Sequence, residues 1–244
     1  MTGAATWLDR HPEWWVLTLS GAAWLGIACL AGPMATGSLC VAARGGLTGD
    51  LAGRLLAQWR IGALDQMLGA WAVMALAMVP PLTLPMLRHV ATRSFAFRRM
   101  RALALCLAGL LCPWLAAGVV GIALLAVAPV PDGRVAALAF ALAALWELSP
   151  FKRRALRRCH RAVPLAAQGW RADRDCFVFG CARGQDCLVS CWAMMLAVML
   201  ADHALAAILL TQALAFAERR AREPRVERCA VVLAALGALW VVPL

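Results

Sequence analysis

Residues 102–127 read ALALCLAGLLCPWLAAGVVGIALLAV and contain no charged side chain. A helix needs about 20 apolar residues to cross the hydrocarbon core of a bilayer, so this stretch is long enough to span a membrane. The rest of the chain has a similar character, because 63% of its 244 residues are hydrophobic and only 15% are charged. Soluble globular domains contain about 45–50% apolar residues. The sequence therefore predicts an integral membrane protein.

Six apolar stretches predict an all-α fold, a polytopic transmembrane helical bundle of about six spans that forms a single integral membrane domain over residues 1–244. An interfacial helix is expected before the second span, and a basic interfacial helix, opened by Ser149-Pro150, before the fifth. The fourth stretch could instead be re-entrant or pair with the third as a tight hairpin. The first is expected to be a retained helix rather than a signal peptide. The predicted spans are approximately 15–32, 66–87, 102–127, 135–148, 187–217 and 229–244.

The net charge of +11 is interpreted as a topology signal, because the basic residues cluster between the apolar stretches. Nucleic acid is not an expected partner, since few aromatic residues interleave with the arginines. With a cytoplasmic N-terminus, six spans place fifteen basic residues inside and nine outside, which favours a multi-pass protein of the bacterial inner membrane. The arginines between Arg219 and Arg228 count against this model, which puts them outside. The expected partners are the bilayer, a metal ion and, as a further option, a membrane enzyme or complex.

Soft ligands gather on one face of the fifth predicted span. At 100° per residue, Cys187, Cys191, Met194 and Met195 share a sector of roughly 100° that also contains Asp202. Thiol and thioether sulfur suit Cu(I) better than a hard cation, so this face is a candidate copper site. The alternative is that these side chains only pack, as Cys and Met commonly do in membrane bundles.

The second predicted span carries a stripe of Met67, Trp71, Met74 and Met78, which ends just before Pro80. Proline removes backbone hydrogen bonds, and the carbonyl groups that it frees inside a membrane must be covered by protein or line a polar cavity. Met74 and Met78 are therefore candidate copper ligands, although such stripes can also be packing.

Two further positions could supply metal ligands. Asp202-His203 lies midway along the fifth predicted span, where an ionisable residue is costly and so indicates proton relay or metal ligation. Cys159 could add a thiol from the basic helix. Signatures of soluble enzymes, such as G-x-S-x-G, H-E-x-x-H and glycine-rich nucleotide loops, are missing, so the sequence gives no support for an enzyme of those classes.

Several of these motifs resemble a bacterial family described as predicted metal-binding integral membrane proteins. Its Trp-x-x-Met…Ala-Met-Met-x-Pro run is similar to the stretch from Trp71 to Pro80, with Val79 in place of the second methionine. Its Gly-x-x-x-Gly…Cys-x-x-Cys-Cys-Trp-x-x-Met run is similar to residues 180–195, with Ser190 in place of one cysteine. A cysteine of the family's basic segment is Ala155 here. The resemblance implies a membrane protein that binds metal through these residues.

The sequence thus leads to three alternative functions. The first is a metal-handling membrane protein for copper, as Cu(I), or for another soft transition metal, with storage, delivery and transport all open. The second is a membrane thiol oxidoreductase that uses Cys187/Cys191 or Cys176/Cys181. The third is a non-catalytic accessory or scaffold subunit of a membrane complex. The candidate metal ligands are Cys187, Cys191, Met194, Met195, Met74, Met78, Cys159, Asp202 and His203.

Overall fold

The computed structural model describes residues 11–34, 63–127, 133–159, 161, 163–201, 205–221 and 226–239. In these ranges all regular structure is helical and no strand occurs, which confirms the predicted all-α fold. The predicted interfacial helix before the second span lies outside the described residues. The helices are α1 (Trp14–Met34), α2 (Ala63–Leu82), α3 (Leu84–Arg93), α4 (Arg99–Val127, after a 3₁₀ turn at Ala96–Arg98), α5 (Gly133–Glu147), α6 (Pro150–Cys159), α7 (Gly169–Leu200), α8 (Leu205–Arg220) and α9 (Val226–Leu239).

Helices α4 and α7 form the most extensive contact of the bundle. A Cβ atom added at Gly180 of α7 would collide with the carbonyl oxygen of Cys106, and one at Gly109 of α4 would collide with that of Phe177. Small residues at such points let two helix backbones approach closely, which is a common way of packing helices in membranes. These glycines bring the cysteine- and methionine-rich half of α7 against the centre of the molecule.

Two pairs of consecutive helices meet at sharp bends. Helices α2 and α3 meet at an angle of 71°, and α5 and α6 meet at 69°. Pro81 cannot donate a hydrogen bond to the carbonyl of Ala77, which instead accepts one of 2.7 Å from the Ser20 hydroxyl. A hydroxyl group of α1 thus replaces the helical hydrogen bond that the Ala77 carbonyl lacks.

The fifth predicted span differs most from the expected single helix. The structure has two helices there, because α7 starts at Gly169 and ends at Leu200, and α8 follows from Leu205. Arg219, near the end of α8, donates a hydrogen bond to Ser190 in the middle of α7, so the two helices run antiparallel. The polar pair Asp202-His203 falls between them in sequence. Apolar composition alone could not distinguish one long helix from this hairpin.

The basic helix predicted before the fifth span is α6, and it buries a charged side chain. Ala155 and Leu156 are buried, but so is Lys152, whereas Phe151 is 60% exposed. The reason is that Lys152 finds carboxylate partners inside the bundle, which makes its burial acceptable.

By length and composition, one helical segment of the described chain, Ala96–Ala123, can cross a membrane without a break. The count rises to three if each bent pair is one span. The predicted bundle of six spans is therefore not confirmed.

Candidate metal centre

Four sulfur-bearing side chains from two helices meet at one small cavity of about 10 Å³. Met78 comes from α2, and Cys191, Met194 and Met195 come from α7. None of the four is more than 5% exposed. The structure thus brings four of the predicted ligands to one place. The remaining lining residues are Val79, Leu82, Trp114, Thr211, Gln212 and Ala215.

Hydrogen bonds from neighbouring helices fix the part of α2 that carries Met78. The Gln212 side chain of α8 donates to the Met78 carbonyl oxygen at 3.2 Å. Two turns before Met78, the Trp71 indole donates to the carbonyl oxygen of Trp114 on α4 at 2.7 Å. Met74 is also buried, one turn before Met78, but it does not line the cavity.

A second thiol and a guanidinium lie beside Cys191. The thiols of Cys187 and Cys191 are on successive turns of α7, within hydrogen-bonding reach of each other. The Ser190 hydroxyl donates to the Cys187 carbonyl oxygen at 2.8 Å and lies 3.4 Å from the Cys191 sulfur. Arg219 donates from Nη2 to the Ser190 hydroxyl at 3.2 Å. A buried positive charge therefore faces the two thiols.

A cluster of buried charges lies next to this group. The Lys152 ammonium contacts the carboxylates of both Glu147 and Glu218, the latter at 2.8 Å, and all three side chains are at most 3% exposed. One buried ammonium thus serves two carboxylates. Arg219, which follows Glu218 in sequence, interacts with Ser190 and the cysteine thiols instead.

An open, basic pocket of about 420 Å³ lies on the other side of Arg219. Cys159, at the end of α6, lines this pocket together with Arg219. Cys159 also interacts electrostatically with Cys187 and Cys191. The Cys159 thiol therefore lies near the thiols of Cys187 and Cys191, on the side that faces the pocket.

Other predicted residues are not brought together. Asp202 and His203 lie outside the described residues. Cys176 and Cys181 are five residues apart on one continuous helix, and their thiols interact instead with Cys106 and Cys112 of α4. Within the described ranges, no three His, Cys, Asp or Glu side chains are grouped closely enough to hold a metal ion. A three-ligand metal site built from side chains in these ranges would therefore include methionine sulfur.

Sequence reasoning did not predict the buried charges. Glu147, Lys152 and Glu218 lie on three different helices, and helical periodicity gives no reason to bring them together. One signal was available, because Lys152 is the only lysine of the chain and replaces arginine inside an arginine-rich helix.

Comparison with known proteins gives one match. A family model described as "PpoB2: Copper chaperone" matches residues 68–241. No curated protein and no solved structure matches the chain. The matched region includes the four residues that meet at the sulfur-lined cavity, and it confirms the prediction of a copper-handling protein at the level of the family.

Proposed function

This chain belongs to the PpoB2 copper chaperone family, and from that membership we propose that it is an integral membrane protein that carries Cu(I) on cysteine and methionine sulfur. The observation that supports the proposal most directly is the convergence of Met78, Cys191, Met194 and Met195 on one cavity. In this proposal these four residues are the ligands, and Cys187 is a neighbouring thiol that can exchange with them.

The donor set has the chemistry that Cu(I) requires. Thiolates and thioethers are soft ligands that select Cu(I), and the remaining cavity wall is mostly apolar. A cavity of about 10 Å³ has room for no more than a single water molecule, so an ion there exchanges water for sulfur. One thiolate and one Cu(I) ion make a neutral pair, which can be buried at low cost.

The second thiol and Arg219 provide a route for release. If Cys187 joins Cys191 on the ion, two thiolates and one Cu(I) carry a charge of −1, and the guanidinium of Arg219 compensates it. Neutral thioethers bind without adding charge, so the ion can pass between thiol pairs and methionines. A carrier needs such exchange, because it must give up its cargo.

The hairpin of α7 and α8 suggests a membrane topology that removes the conflict in the charge distribution. If α1, α2–α3, α4, α5–α6, α7, α8 and α9 each cross the membrane, the chain has seven crossings. With the N-terminus in the cytoplasm, Arg44, Arg54, Arg60 and Arg134 are then the only basic residues outside, and the other twenty are inside. This supports a location in the bacterial inner membrane with the N-terminus inside.

The ligand assignment is tested by metal analysis of the full chain, purified in a neutral detergent and loaded anaerobically with Cu(I). Cys191→Ala combined with Met78→Leu is expected to lower the affinity for Cu(I) by at least about tenfold, which corresponds to about 1.4 kcal/mol. X-ray absorption of the wild type is expected to show sulfur ligands only.

Cys106→Ala combined with Met67→Leu is the matched control, because both residues are buried and neither lines the cavity. Copper binding should be unchanged in this control. An unchanged affinity in the Cys191/Met78 variant would rule out the assigned ligands. The roles of Met74, Cys159, Asp202 and His203 as further ligands stay predictions.

A further inference from the structure

The basic pocket is a wide, open cavity whose lining is rich in arginine. Its volume of about 420 Å³ is in the range of small-molecule sites. It opens between the α2–α3 bend, the end of α6, the first half of α7 and the end of α8. Five of its lining residues are arginines, namely Arg88, Arg161, Arg183, Arg219 and Arg220.

The pocket has more positive than negative charge, although Asp186 beside it interacts with Arg161, Arg183 and Arg219. No acidic side chain is among the described residues that line it. Arg88 is paired with Glu13 outside the pocket lining, and Arg183 with Asp186 at 3.2 Å. The Nε atoms of Arg183 and Arg219 are buried and have no hydrogen-bond partner in the described structure, and Arg219 is only 9% exposed. Buried donors of this kind ordinarily have a partner, so the pocket is suited to an anionic ligand.

The same charge argues against direct entry of a bare copper ion. A Cu(I) cation that approached the pocket would be repelled by the guanidinium groups, whereas an anion would be attracted. Guanidinium groups also bind carboxylates in a bidentate geometry. Copper can therefore reach this side of the protein most readily as part of a negatively charged complex.

The wall of the pocket leads to the proposed copper site. Cys159 and Arg219 both line the pocket, and both interact with the Cys187/Cys191 pair. A ligand held by the outer arginines would thus have a thiol within the same pocket and two more thiols behind it.

We propose that this pocket binds a small anionic thiolate complex of Cu(I), with carboxylates on the carrier, and transfers the ion to Cys159. This inference rests on the proposed copper function. In the transfer the carrier's sulfur–copper bond breaks and a bond from the Cys159 sulfur to copper forms. The thiol proton of Cys159 passes to the departing carrier thiolate, and copper stays Cu(I) throughout. The ion then moves on to Cys187 and Cys191.

The test compares two copper sources with the purified full chain in neutral detergent. The anionic source is the Cu(I)–glutathione complex, and the cationic source is the acetonitrile complex of Cu(I). Arg161→Gln combined with Arg220→Gln removes two exposed pocket arginines. This variant is expected to take up copper from the glutathione complex at least about tenfold more slowly than the wild type, and from the cationic acetonitrile complex at an unchanged or higher rate, because less positive charge repels a cation less.

Arg153→Gln combined with Arg157→Gln is the matched control, because it removes the same charge from exposed positions of α6 that do not line the pocket. Its uptake from both sources should equal that of the wild type. Unchanged uptake by the pocket variant, or equal slowing from both sources or in both variants, would overturn the pocket proposal. If the wild type takes up copper from neither source, the copper function itself fails.

A lipid headgroup is the other anion that could occupy the pocket. Phosphatidylglycerol micelles added to the wild type should leave uptake from the glutathione complex unchanged. If they slow it to the rate of the pocket variant, the pocket is a lipid site and the proposal is wrong.

Discussion

Lys152 is the residue on which the buried charges depend. Its ammonium lies between Glu147 and Glu218 with no exposure to solvent. Removing one partner of a buried ion pair typically costs about 3–5 kcal/mol, because the remaining charge is left without compensation. Two carboxylates share this one ammonium, so its loss leaves both exposed to an apolar environment.

We expect Lys152→Met to lower the stability of the protein by about 3–5 kcal/mol, measured as the loss of helical circular dichroism in a denaturant titration in micelles. Replacing both carboxylates as well, in Lys152→Met/Glu147→Gln/Glu218→Gln, should restore part of that loss. If the single variant Lys152→Met unfolds like the wild type, the ion pairs contribute nothing to the stability.

The contact between α4 and α7 is the element on which the position of the sulfur ligands depends. Gly109, Gly180 and Gly184 have the backbone of the opposite helix where a side chain would begin. Backbone atoms cannot move aside as a flexible side chain can, so a methyl group there must push the helices apart.

Gly180→Ala is therefore expected to destabilise the protein by about 1–3 kcal/mol and to weaken Cu(I) binding, both measured in the same detergent. Gly121→Ala on α4 is the matched control, because a Cβ there meets nothing within 4 Å. Alanine favours helix over glycine by about 1 kcal/mol, so the control should be unchanged or more stable. Equal stability losses in the two variants would contradict the close-packing argument.

The elements differ in how far the sequence could predict them. The predicted third span, 102–127, agrees closely with the bounds of α4, because an uncharged apolar run of that length usually forms one long helix. Helical periodicity predicted the shared face of Cys191, Met194 and Met195. They were grouped with Met78 because all four side chains carry sulfur that suits Cu(I). The reversal between α7 and α8 was not predicted, since hydropathy cannot locate a turn inside an apolar stretch. The pairing of Lys152 with Glu218 depends on contacts between distant segments, which periodicity does not encode.

At the scale of the whole molecule, α8 folds back beside α7. In the proposed topology of seven crossings, this places the segment after α8 on the side of the membrane opposite to that of the six-span prediction. Arg219 and Arg220 line the same pocket as Arg88, Arg161 and Arg183, so all five arginines lie on one side of the bundle. In the six-span prediction Arg219 and Arg220 would lie on the opposite side of the membrane from the others.

Reporter fusions distinguish the two topologies. With seven crossings, a fluorescent protein fused after Arg222 is expected to fluoresce, because it stays in the cytoplasm, and alkaline phosphatase fused after Leu244 is expected to be active outside. A fusion after Arg93 is the control, since both topologies place it in the cytoplasm. Active phosphatase after Arg222 would instead support six spans.

The charged cluster also has a consequence for biogenesis. Glu147 and Lys152 flank the α5–α6 bend, whereas Glu218 and Arg219 are made some 70 residues later, at the end of α8. Before α8 is made, Lys152 has Glu147 alone of its two described carboxylate partners. Glu218 can reach the ammonium only after α8 has packed against the bundle, so this second contact forms late in assembly. A chain that ends before α8 lacks it, and the contact is therefore a mark of the complete bundle.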